Sequence, residues 1–105
     1  MTKAIITVVG KDNTGIIAKV CTYLAESNVN ILDITQTIVK GFFNMMMIVN
    51  VENSPKSFDQ LSTELTQLGE EIGVQTKIQL EEIFNQMHRI EIRWRLKDDQ
   101  LIRGT

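Results

Sequence analysis

Residues 8–17, Val8-Val9-Gly10-Lys11-Asp12-Asn13-Thr14-Gly15-Ile16-Ile17, decide the fold. They join an apolar β-type run, Ala4 to Val9, to an amphipathic helical run that begins near Ile16, with a polar turn between them. Gly10 lets the chain leave the strand without Cβ crowding, and Asp12, Asn13 and Thr14 are each able to accept from orphan N–H groups at a helix N-terminus. Helix N-termini attract anions, and Gly15 gives a ligand close access to the backbone, so the turn suits a small molecule carrying a carboxylate. The same residues also read as an ordinary capped helix start with no ligand at all.

Working outward, residues 3–10 form a first strand with Ala4, Ile6 and Val8 on one face and Ile5, Thr7 and Val9 on the other. Both faces are mostly apolar, which predicts a central strand covered on both sides. From Gly15 to Ser27, Ile16, Ile17, Val20, Cys21 and Leu24 recur at helical spacing, and Asn28 suits a left-handed helix end. Residues 30–40 predict a second strand with Leu32, Ile34, Gln36 and Ile38 on one face and Ile31, Asp33, Thr35, Thr37 and Val39 on the other. Lys40-Gly41 turns the chain into a third strand, 42–51, whose Phe43, Met45, Met47, Val49 and Val51 share an apolar face. A capping box of Ser57 and Gln60 opens a second helix striped by Phe58, Leu61, Leu65, Leu68 and Ile72, which Gly69 loosens and Gly73 stops. Val74 to Leu80 alternates as a fourth strand, and Glu81 to Met87 has the spacing of a short terminal helix.

Asn28-Val29-Asn30 after the first helix echoes Gly73-Val74-Gln75 after the second. The order βαββαβ predicts an α+β, ferredoxin-like sandwich: a four-stranded antiparallel sheet, first and third strands central, with both helices on one face. Residues 1–90 make the domain. Residues 91–105 form a tail; an alternation that starts just before it, Ile90, Ile92, Trp94 and Leu96 against Arg89, Glu91, Arg93, Arg95 and Lys97, is an edge-strand pattern, and the tail is equally open to being disordered or foreign sequence. His88 stands alone at its start.

Composition narrows the function. The chain has 105 residues, 43% hydrophobic and 23% charged, enough for one core and marginal enough to favour a homo-oligomer. No apolar run approaches the ~20 residues of a membrane span, and the start goes straight into a strand pattern with no signal-peptide character, so a cytoplasmic protein is expected. The single cysteine, Cys21, rules out an internal disulfide and argues for a buried thiol on the first helix. A net charge of −2 gives no reason to expect nucleic acid or an anionic membrane.

On this architecture a single-strand RNA reader needs stacking aromatics in the central strands and a basic surround, and the first strand has no aromatic. A metal carrier would place Cys-x-x-Cys in the first loop, which has no cysteine; an acyl-phosphate hydrolase would need an arginine there, and none precedes Arg89. The methionine run, Met45-Met46-Met47, lacks cysteine or histidine partners and reads as filler. No paired acid and base, nucleophile triad or Walker loop is present, so neither catalysis nor a cofactor is expected. What remains is binding.

Ile6-Thr7-Val8-Val9-Gly10-Lys11-Asp12-Asn13-Thr14-Gly15-Ile16-Ile17-Ala18-Lys19-Val20, followed by Leu24-Ala25-Glu26-Ser27-Asn28-Val29-Asn30-Ile31-Leu32-Asp33-Ile34, resembles the opening of an ACT domain, the small-molecule-sensing module of many enzymes of amino-acid metabolism. The short length, the Gly-Lys-Asp start and Asp33-Ile34-Thr35-Gln36-Thr37 before a methionine-rich strand resemble small bacterial proteins made of a single such domain. The resemblance covers residues 2–90. Where the family loop commonly reads Asp-Arg-Pro-Gly, Asp12 and Gly15 match while Asn13 and Thr14 replace arginine and proline; Gly10 stands where serine-sensing members carry histidine.

The resemblance implies a homodimer paired side by side or sheet face to sheet face. A free amino acid would lie between the loop Asp12, Asn13, Thr14, Gly15 and Ile16 of one subunit and the strand start Asn30, Ile31 and Asp33 of the other. An outer sheet face carrying Met45 and Met47 is expected to be covered by that pairing. With no fused catalytic domain expected, the output would pass to a separate protein partner; the rival expectation is an assembly module whose loop is only a helix cap.

Overall fold

The computed structural model describes residues 1–82. The elements are β1 (Lys3–Lys11), α1 (Ile16–Glu26), β2 (Asn30–Val39), β3 (Phe42–Asn50), α2 (Phe58–Ile72) and β4 (Val74–Leu80). The sheet is antiparallel in the order β2-β3-β1-β4, so β1 and β3 are central, as expected. The expected terminal helix, beyond its first two positions, the tail strand and His88 lie outside the described residues.

One cluster joins the sheet to both helices. Ala4, Ile6 and Val8 of β1 and Phe43, Met45, Met47 and Val49 of β3 pack with Ile16, Val20 and Leu24 of α1 and Leu61, Leu65 and Ile72 of α2. Both helices therefore lie on one face, the ferredoxin-like arrangement. This corrects the placement of the methionines: Met45 and Met47 are 1% and 0% exposed beneath the helices, and Met46 is the one that faces outward. Alternation separates two faces of β3 but does not say which of them meets the helices. The other face of β1 is covered at Ile5, which is buried, and open at Val9.

A second correction concerns β2. Ile31 pairs with Val49 and Asp33 with Ile48, leaving Leu32 as a bulge. The bulge moves Ile31 to the face shared by Ile34, Gln36 and Ile38, because one inserted residue inverts the period-two alternation.

The echo between the halves is structural. Asn28 and Gly73 both take positive φ, 58° and 78°, just past a helix end, and the valine that follows each, Val29 or Val74, is buried. Gly69 does more than loosen α2: a Cβ there would stand 2.8 Å from the Val74 carbonyl oxygen and 2.9 Å from Thr76 Cγ2. Its hydrogen lets α2 settle onto β4, where Thr76 Oγ1 donates to the Leu65 carbonyl at 2.6 Å. The capping box is half formed: Ser57 Oγ accepts from Gln60 N at 3.1 Å, but the Gln60 side chain turns to Glu64 Oε2 instead.

Glu64 also ties the helices together. Its Oε1 accepts from Tyr23 of α1 at 2.8 Å and from Lys56 Nζ at 2.6 Å, while Lys56 Nζ reaches the buried Ser27 hydroxyl at 3.0 Å and lies 4.7 Å from the Tyr23 ring centroid. The Lys56 hydrogen bond holds the Glu64 carboxyl below its usual range and raises Lys56, and partial burial raises Tyr23. This strap is a structural group on the side of α1 away from its N-terminus.

Candidate functional site

The loop 12–15 stands at the end of the sheet where β1 finishes. Lys11 pairs with Phe42 and Phe42 with Val39, and the Asp12 amide donates to the Gly41 carbonyl at 2.8 Å, so the loop is tied to the β2–β3 turn. Gly15 is the N-cap of α1, with φ 87°, and no side chain caps the helix. The expectation that Asp12, Asn13 or Thr14 would accept from the first helical turn is thus corrected. The left-handed turn at Gly15 takes the chain into the helix directly, and the Asn13 amide is used elsewhere: Nδ2 donates to the Ile72 carbonyl at the end of α2, 3.0 Å away.

The first-turn amides of α1 are left without a side-chain acceptor, and Asp12 and Thr14 are exposed beside them. A Cβ built on Gly15 meets nothing within 4 Å. The space over the helix start is therefore open, with N–H donors and a positive helix end on one side and a carboxylate nearby. Ile16, the first helical residue, is buried in the core and fixes the helix start against the sheet. Gly10 remains inside β1, where a Cβ would come within 2.9 Å of Val74 Cγ1 and 3.0 Å of Val74 Cα; it brings the loop close to β4 instead of ending the strand.

The other expected half lies far from the first. Asn30 pairs with Asn50, which pairs with Lys3, at the opposite end of the sheet. Gly15 and Asn30 stand at opposite ends of α1, whose 11 residues span about 16 Å. Asn30 is exposed, and Asp33 Oδ1 accepts from the Ile34 amide at 2.9 Å, bracing the bulge. Within one chain the structure does not bring Asp12–Ile16 and Asn30–Asp33 together.

What connects them is an edge. β2 has a single neighbour, β3, and is exposed along nearly all of its ten residues. Leu32, Ile34, Ile38 and Val39 are 40%, 40%, 57% and 62% exposed, and Asp33 is the strand's one charged residue. A long, nearly uncharged apolar edge without proline is a template for another strand. Ile17, next to the loop on α1, is also exposed.

Clefts elsewhere use other residues: one of about 500 Å³ wraps the β4 edge between Thr7, Val9, Thr66, Glu70 and Val74–Lys77, and one of about 350 Å³ lies along α1 at Ala18, Thr22 and Glu26. Among the described residues, no group of three or more His, Cys, Asp or Glu is placed to hold a metal ion, and no helix is long and apolar enough to cross a membrane.

Comparison with known proteins gives the following. A family model described as the ACT domain matches residues 2–79. A UPF0237 protein of Bifidobacterium longum is 60% identical over 90 residues, 86% of this chain and 100% of that one. Among solved structures, an ACT domain protein from Streptococcus pneumoniae is 42% identical with a TM-score of 0.71, covering 79% of this chain and 93% of that chain. A candidate glycine cleavage system transcriptional repressor is 25% identical with a TM-score of 0.67, over 75% of this chain and 45% of that one.

Proposed function

This chain belongs to the ACT domain family, and on that premise we propose that it is a non-catalytic regulatory module that binds a free amino acid between two copies of itself. The observation that carries the reading is the separation of the two site halves within one chain together with the bare β2 edge. Two β2 edges paired about a two-fold axis run antiparallel. The Asn30 end of one then lies beside the Val39 end of the other, and Val39 shares its end of the sheet with the loop 12–15. Self-pairing therefore covers the apolar edge and completes two equivalent sites in one step.

In each site the uncapped amides of the α1 start take the ligand carboxylate, Gly15 leaves room for it, and Asn30 and Ile31 of the second copy close the far side. Asp12 and Asp33 offer carboxylates for the ammonium group. The signal passes to a separate protein, which reads the occupied dimer.

A thermal-shift screen of the twenty amino acids tests the reading. An amino acid at a hundred times its dissociation constant stabilises the folded state by about 2.7 kcal/mol, a rise of several degrees in Tm for a domain of this size. The expected result is a selective rise with one or a few amino acids. Silence across all twenty sinks the amino-acid reading and leaves an assembly module.

A further inference from the structure

We infer that Asn13 is a positioning residue which latches the binding loop to the end of α2, and not a contact to the bound molecule; this rests on the reading of the loop given above. Ile72 is the last residue of α2, so its carbonyl has no acceptor role within the helix. Gly73, in the left-handed conformation, turns its own N–H back to Glu70 and Gly69 and leaves the Ile72 oxygen to be satisfied from outside. Asn13 Nδ2 supplies that hydrogen across 59 positions of sequence.

The latch falls within a tight junction. Three residues before Asn13, Gly10 sits so near Val74 that a Cβ would intrude on the Val74 backbone, and Val74 lies two residues past Ile72. The other flank of the loop is held separately by the Asp12 amide on Gly41. One tie thus fastens the loop to the hairpin that carries the β2 edge and the other fastens it to the α2–β4 junction. Only Thr14 and Gly15 span the distance from these ties to the helix, so the aim of the first-turn amides is set by where Asn13 is held. A second consequence follows: a change at the loop is felt at residues 72–74, and a change there is felt at the loop.

Amide hydrogen exchange on the full-length wild type, Asn13→Ala and Asn13→Asp proteins tests the latch without needing any bound molecule. Neither variant side chain can donate to Ile72. The expected result is exchange about tenfold faster at Lys19 and Val20, the first hydrogen-bonded amides of α1, and at 72–74 together, with the β1–β3 ladder amides of Ile6 and Met47 unchanged. Unchanged exchange at either region overturns the latch. Where the amino-acid screen yields a binder, calorimetry on Asn13→Ala should show it bound roughly tenfold more weakly at the same stoichiometry; complete loss of binding with unchanged exchange would make Asn13 a direct contact and overturn the inference. A silent screen removes the amino-acid reading alone, since the exchange measurement still decides the latch.

Discussion

The double variant Ile34→Lys/Ile38→Lys should be a folded monomer. Both residues are substantially exposed in the single chain, so lysine there costs the isolated domain little. In a β2–β2 pair the same positions approach their counterparts across the two-fold axis, and four added positive charges would have to crowd along one strand pair. Sedimentation equilibrium should give a mass near 12.0 kDa for the variant and twice that, or a higher multiple, for the wild type. Circular dichroism should be unchanged. On the proposed reading, in which each site spans two copies, the variant should also lose the thermal response to any amino acid that stabilises the wild type. A variant that remains dimeric would show that the edge is not the interface.

Replacing Gly69 has the largest expected effect on the fold itself. The Cβ of Gly69→Ala would meet the Val74 carbonyl oxygen at 2.8 Å and the Thr76 side chain at 2.9 Å, and the first of these is backbone in a strand that cannot shift without disturbing β1. Overpacking of this kind costs about 1 to 3 kcal/mol, set against the ~1 kcal/mol that alanine gains over glycine in a helix interior. The net effect for alanine is then a loss of about 0 to 2 kcal/mol, and Gly69→Val, with two further methyl groups and poorer helix propensity, should lose more than ~3 kcal/mol. Urea unfolding of the three proteins in parallel measures both. A valine variant as stable as the wild type would mean that α2 rides higher on β4 than the geometry states.

The contrast between these positions explains how much of the protein was legible in its sequence. Helical and strand periodicities placed the described elements and their order, because Val20, Leu24, Leu61 and Leu65 had to be buried for either helix to persist. The glycines were legible as breaks but not as contacts. Gly69 and Gly10 are required by Val74, a residue that meets them only once the chain is folded. The face of β3 that receives the helices was not legible, since both sides of β1 are apolar, and the Leu32 bulge was hidden by an alternation it interrupts. The loop 12–15 stood out as a polar turn between apolar runs. Its actual bonds did not: the Asn13 partner lies in another element, and the cap at Gly15 is a matter of backbone φ, which the neighbouring Asp, Asn and Thr suggested wrongly. Separation of the loop from Asn30 followed from topology alone, and it turned two candidate stretches into a case for two subunits.

Subunit mixing tests that case most directly. Gly15→Asn keeps the left-handed turn, which asparagine tolerates, and fills the open space above the helix start; Asn30→Ala removes the other half of the site. Each variant alone should fail to bind the amino acid identified by the screen. After the two are mixed and allowed to exchange, half of the dimers are mixed, and each mixed dimer holds one site built from an intact loop and an intact Asn30. Calorimetry should then recover roughly a quarter of the wild-type sites at wild-type affinity. No recovery, in a mixture shown by mass to have exchanged subunits, would contradict a site shared between two copies.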